Sequence, residues 1–426
     1  MPPASVPSPD RAERRFIGGF FIFLSLGLIA IASLNIVADP FRVFGTPRWM
    51  GVNDRTPDTI GFDRVAKPYQ LLHQDARSLV FGSSTAHNGF LALESWDMGL
   101  PKPAYNYALL GASAHEIRLS LEQALRESPV EVVVLVADFF AYNAYYADNE
   151  RFLAKRLDAA SRRRWPGYML EDLGTFMLGI DGIKYSWRTL FDSHAANLAS
   201  PSASNAPKIA SNVPIRVHFQ NCERSYPSRW FPPPARRYDF VDASRHRDTL
   251  EDFKAMLRAC SEQGVQLYII IPPIHARFNE ALVASGAWPN YEGWKRAIVS
   301  CADAQLGRIA AEKHPPRLEL WDFSLFNQRT CESVPVSGAP LRWWHDSAHF
   351  TPEFGQSILA EVMQSTPRKR SQLGVRLVPT SVELDTHLAE VRSGLEKFRA
   401  IAPDEVLDVH DALGIATVTA QRSASR

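Results

Sequence analysis

The hydrophobic pattern divides the chain into one long apolar stretch, a series of alternating strand and helix signals, and an interruption within that series. From Phe16 to Ala38 no side chain carries a charge. That run exceeds the roughly 20 residues a helix needs to span a bilayer. Arg11, Arg14 and Arg15 precede it, which favours a cytoplasmic N-terminus. No second stretch of this kind follows, so residues 16–38 read as a single signal anchor with the rest of the chain exported. A cleaved signal peptide, with Ala30-Ile31-Ala32 as the cleavage motif, is the competing reading, and it also exports the domain. Asp39-Pro40-Phe41 stops the helix. Residues 39–77, with Pro40, Pro47 and Pro57, form a connector.

Beyond the connector, apolar runs predict strands at 79–83, 104–108, 131–136, 266–271 and 318–321. Helices are predicted from Ser113, where Ser113-Ala114-His115-Glu116 has capping-box spacing, and over 248–262 and 291–312. Another opens at Thr351-Pro352 and runs to about Met363. Five strands separated by helices imply a mostly parallel α/β sheet covered on both faces. Ligands bind such sheets beyond the carboxyl ends of the strands. Residues 141–243 interrupt the alternation. They hold a helical part, 166–191, and a loop rich in Ser, Ala, Asn and Pro, 195–214. This insertion reads as a cap or partner-binding element, or as a disordered linker in its middle. Residues 366–426 read as a tail with one amphipathic helix over 382–398, beginning with Arg368-Lys369-Arg370.

Composition narrows the function. The net charge of +1 and the absence of a long basic run give nucleic acid no footing as a partner. Cys222, Cys260, Cys301 and Cys331 are too few for a disulfide scaffold, and their pairing is open. There is no Cys-x-x-Cys and no His-Glu-x-x-His, so neither a metal nor another cofactor is expected.

Two short strings carry candidate chemistry. Gly82-Ser83-Ser84-Thr85 follows the first strand, and His345-Asp346-Ser347-Ala348-His349 lies far downstream. Together they hold a hydroxyl, an imidazole and a carboxylate, the parts of a serine nucleophile site. Each also has a plainer reading. Serines after strands often cap helices or satisfy turns, and Asp346 and Thr351 could open a helix with His349 on the surface. His345 is assigned to substrate contact or structure. His87 lines the pocket or merely starts a helix. Asp138 binds a hydroxyl or, in the preferred reading, caps the next segment. Phe139, Phe140, Tyr142, Tyr145 and Tyr146 form core or, less favoured, a sugar-stacking wall.

In order and content these blocks resemble the SGNH/GDSL hydrolase superfamily over residues 78–365. The third residue of the first block, Ser84, matches the family's nucleophile. Ser83 replaces the usual Asp and is the alternative nucleophile. That replacement also occurs in membrane-anchored relatives of polysaccharide O-acetylation and teichoic-acid D-alanylation. Asp346 and His349 match the closing Asp-x-x-His block. Asn106 to Ser113 is similar to the second block, which makes the N–H groups of Ser84 and Gly111 the oxyanion donors. The third block fails. No Asn follows the third strand at the expected place, and Asn143 substitutes only if the loop folds back. Losing one such donor costs about 2.7–4 kcal/mol. The resemblance implies a flavodoxin-like three-layer sandwich with a five-stranded sheet, preceded by one transmembrane helix. It further implies a serine-dependent esterase or O-acyltransferase on the periplasmic or extracellular side of a bacterial cytoplasmic membrane. The substrate class would be a cell-envelope or secreted polysaccharide, with a multipass membrane acyltransferase as acyl donor. The alternatives are an inactive scaffold that binds polysaccharide or organises an export complex and, more weakly, a soluble lipid esterase.

Overall fold

The computed structural model describes residues 11–56, 59, 61–159, 167–198, 213–336, 338–364, 370–379 and 383–415. Most of the loop 195–214, together with Arg368 and Lys369, lies outside these residues. The chain forms two compact units, one from residues 1–73 with 158–207 and the other from 74–157 with 208–426.

In the smaller unit, the apolar run becomes the 28-residue helix Arg11–Ala38, with a mean hydropathy of 2.4 over its most apolar window. It is long and apolar enough to cross a membrane. Its first twenty residues are exposed, and only its last two turns are covered. There Asn35 is buried and its side-chain amide donates to the Met177 carbonyl at 2.7 Å. The stop at Asp39 is built as a turn, since its carboxylate accepts the N–H groups of Val43, Phe44 and Thr46. The segment read as a connector is packed structure. It contains the helix Asp63–Leu71, and Phe41, Val43, Ala66 and Tyr69 form a core with Phe176. Phe176 belongs to the helix Gly167–Leu178, which pairs with the helix Ile180–Leu198 as a hairpin against the N-terminal apolar helix. The second hairpin helix is inverted in character. Gly182, Ser186, Thr189 and Ser193 are buried, while Ile180, Trp187 and Phe191 are 84%, 64% and 66% exposed.

The larger unit is an α/β sheet. Strands β1 (Ser78–Phe81), β2 (Ala104–Asn106), β3 (Val132–Val136), β4 (Gln266–Ile271) and β5 (Leu318–Asp322) are almost wholly buried. Runs such as Val132-Val133-Val134-Leu135-Val136 have no polar alternation and are stable only with both faces covered. All five are parallel, in the order β2-β1-β3-β4-β5. The expected count of five is exceeded. Val375–Val378 forms β6, antiparallel to β5 at the edge. The region read as a tail therefore belongs to the sheet, and two helices follow, Leu384–Ile401 and Pro403–Ala412. The first is pinned by a buried cluster at the end of β5. The Asp322 carboxylate meets Lys295 Nζ at 2.7 Å and His387 Nε2 at 2.8 Å. A lone charged group there would be costly, and the paired set is tolerated.

Candidate active site

The site begins with a backbone constraint. β1 ends at Phe81, and Gly82 takes φ +151. A Cβ there would stand 2.7 Å from the Ala86 side chain and 2.9 Å from the Val136 carbonyl. Only glycine fits, and the chain turns at once into the helix Ser84–Gly89. Ser84 opens that helix, so its N–H is among the donors that have no intrahelical acceptor. A second close approach brings in the distant block. The ring of Phe350 fills the space a side chain at Gly89 would need, and Gly355 meets the Gly89 carbonyl. Two short helices thus touch backbone to backbone, which seats the 344–350 turn over Ser84.

Ser84 Oγ lies 2.8 Å from His349 Nε2. His349 Nδ1 lies 2.7 Å from Asp346 Oδ2. Asp346 Oδ1 also accepts the N–H groups of Ala348 and His349 at 2.8 and 2.9 Å, which fixes the carboxylate in its turn. Burial alone would raise the Asp346 pKa, but the facing His349 and these N–H groups outweigh it and hold the acid down to about 2. Burial would lower the His349 pKa. The Asp346 charge outweighs it, and the imidazole is raised above its ordinary value. The result is a base oriented by a fixed anion and aimed at a hydroxyl.

Ser83 is fully buried, and its hydroxyl donates to Asp138 Oδ2 at 2.6 Å. It faces away from His349 in hydrogen-bonding terms, and Ser84 is the hydroxyl on the imidazole. The cap reading of Asp138 is overturned, because its side chain caps nothing in the turn Phe139–Tyr142. It takes the Ser83 hydrogen bond beneath the turn that leads from β1 into the helix Ser84–Gly89. Burial raises its pKa, and the Ser83 and Thr85 hydroxyls and nearby His349 only partly offset this.

Gly111 lies in the loop after β2 with φ +61. That loop is tied to the elbow by the Leu109 N–H, which donates to the Gly82 carbonyl at 3.0 Å. Asn143, the candidate substitute for the missing oxyanion donor and with it a possible substrate contact, is corrected to a brace. It is fully buried, its amide donates to the Trp230 and Arg237 carbonyls at 2.8 and 2.9 Å, and its oxygen accepts the Tyr145 N–H. His345 is half-buried on the same turn as the triad, and its N–H donates to the His349 carbonyl. Burial leads in lowering its pKa. His87 is half-buried one turn beyond Ser84 on the same helix. Phe139, Phe140 and Tyr142 are core, while Tyr145 and Tyr146 are half-buried.

The insertion supplies residues that sequence reasoning missed. The helix Ile215–Ser225 is held by fully buried Arg277, which bonds both oxygens of Glu223 at 2.8 Å and reaches Glu405 at 2.6 Å and Asp408 at 2.7 Å. Cys222 on that helix sits beside the pair Asp346–His349, with the three donor atoms within 4.8 Å of one another. Burial and the adjacent Asp346 push the Cys222 thiol pKa well up. The Tyr226 ring lies 6.4 Å from the imidazole, centroid to centroid, and the Arg229 guanidinium lies 4.9 Å over Tyr226. Beside the elbow is a cavity of about 30 Å³, bordered by Thr85, Asp138, Phe140, Tyr226, Trp230 and Ala348 among others.

No family model matches this chain, and no curated protein sequence is significantly similar to it.

Proposed function

We propose that the larger unit is an SGNH-like serine esterase or O-acyltransferase. The observation that carries this reading is the Ser84–His349–Asp346 relay, with contacts of 2.8 and 2.7 Å across 265 residues of sequence. The strand order 2-1-3-4-5 is that of flavodoxin-like sheets and supports the same layering. Ser84 Oγ attacks the ester carbonyl while His349 Nε2 takes its proton. Asp346 holds the imidazole in the tautomer that leaves Nε2 free and balances the imidazolium. The N–H groups of Ser84 and Gly111 receive the developing oxyanion. His349 then protonates the departing alcohol, which leaves an acyl-Ser84. Water or an acceptor hydroxyl, deprotonated by the same imidazole, releases the acyl group.

With Asn143 used as a brace, the third oxyanion donor has no candidate, which favours slow turnover or a tethered acceptor over a fast free hydrolase. The same observation is what favours the second reading, a non-catalytic scaffold. The apolar helix Arg11–Ala38 is in keeping with a single-pass protein. On this reading the unit works outside the cytoplasmic membrane on an envelope or secreted polysaccharide, and receives its acyl group from a multipass membrane acyltransferase. A fluorophosphonate probe separates the two. Labelling at Ser84 that vanishes in Ser84→Ala and His349→Ala supports the enzyme, and an unlabelled wild-type chain supports the scaffold.

A further inference from the structure

Arg229 stands out near the relay. It is half-buried, and its guanidinium lies against two rings, 4.9 Å from the centre of Tyr226 and 5.6 Å from that of Phe140. The same Tyr226 ring lies 6.4 Å from the His349 ring, so cation and imidazole share a neighbour. Other arginines of this unit answer carboxylates: Arg118 meets Asp252, Arg247 meets Asp148, and Arg277 meets Glu223. Among the described residues Arg229 forms no ion pair. Its segment is also fixed in place, because Asn143 holds the carbonyl of the neighbouring Trp230. A partly desolvated, pre-positioned cation with no ion-pair partner, on which Asp138 acts only from longer range, is a site for an anion.

We infer that Arg229 binds a carboxylate on the alcohol portion of the ester or on the acyl acceptor, so that the substrate class is an acidic sugar such as a uronide. This rests on the esterase/acyltransferase reading. A planar guanidinium pairs with a carboxylate through two parallel bonds, whereas a dianionic phosphate beside Asp138 would lack a second cation. Arg229 is not among the residues that border the small cavity.

The test uses the full chain in detergent, with two probes that differ only at C6, acetylated methyl glucuronoside and acetylated methyl glucoside. Binding is measured by calorimetry to Ser84→Ala, so that turnover plays no part. The uronide should bind about tenfold or more tightly than the glucoside. Adding Arg229→Ala should bring the two within twofold, and Arg229→Lys, which keeps the charge, should retain part of the preference. Equal affinities with Arg229 present, a preference that survives Arg229→Ala, or no binding of either probe would overturn the inference. An Arg229-dependent preference in a chain that never releases acetate would uphold the subsite and sink the esterase reading instead.

A separate observation concerns the smaller unit. The helix Ile180–Leu198 turns small and polar residues inward and Ile180, Ile183, Trp187 and Phe191 outward, with Lys184 and Arg188 between them. Its hairpin packs on the end of the anchor through Asn35, beside the apolar residues that leave that helix exposed. The structure assigns this outward stripe to the surface of the bilayer the anchor enters, with Trp187 and the two cations at headgroup level. A photo-crosslinking phenylalanine analogue placed at 187 or 191, in full chain reconstituted into phosphatidylcholine vesicles, should capture lipid, and the same group at 251 should not. Absence of lipid adducts, or capture of a second copy of the chain, would overturn it.

Discussion

The helix Trp288–Ile309 of the larger unit and the helix Ile180–Leu198 of the smaller one solve opposite problems. The first buries Tyr291, Trp294, Ile298 and Ile309 against the sheet. The second buries Gly182, Ser186, Thr189 and Ser193 and presents its aromatics outward. Apolar periodicity reports which residues share a face, and it does not report what that face meets. In one unit the face meets a protein core, and burial builds a dry setting in which a carboxylate can tune an imidazole. In the other, small residues do the packing and the large apolar ones are left for the surroundings, as in helices that associate within lipid.

The largest effect that could break this division is chemical. Asp346→Asn should cut kcat by about 10⁴-fold, as loss of the orienting anion does in serine triads. The pH profile sharpens the point. Protonated His349 cannot accept the Ser84 proton, so turnover should rise with pH through a midpoint above 6.5 in the wild type. Without the Asp346 charge that limb should move to lower pH while the plateau falls.

The next effect is on stability. Trp294→Ala should destabilise the larger unit by about 3–5 kcal/mol in chemical unfolding, through lost transfer energy and a cavity. Arg277→Ala should cost a similar amount, about 3–5 kcal/mol, because fully buried Glu223 loses the guanidinium that bonds both its oxygens. The smallest effect is the most diagnostic for the comparison. Trp187→Ala, an equal loss of side chain, should change stability in detergent by less than about 0.5 kcal/mol. A large loss there would mean that the outward stripe is a protein core after all.

The sheet was legible where apolar runs were continuous, and the relay was legible because its acid and base share one turn. Edge strand β6 was not, since Val375-Arg376-Leu377-Val378 is short and interrupted by a charge, and its partner β5 lies far back in the chain. Asp138 looked like a cap because a carboxylate after a strand carries that local signature, while its real partner, Ser83, is 55 residues away. Cys222, Tyr226 and Arg229 had no signal at all. Their place beside His349 depends on how the insertion folds back, which no local pattern encodes.

The Arg277 cluster also sets an order in time. A chain is made from its N-terminus, and Glu405 follows Arg277 by 128 residues. While the helix Pro403–Ala412 is still inside the ribosome, Arg277 has Glu223 but neither Glu405 nor Asp408, and the segment that carries Tyr226 and Arg229 lacks that brace. The helix Pro403–Ala412 therefore joins this brace after its other members have been made, and a chain stopped before Glu405 would leave Arg277 with Glu223 as its carboxylate among these three.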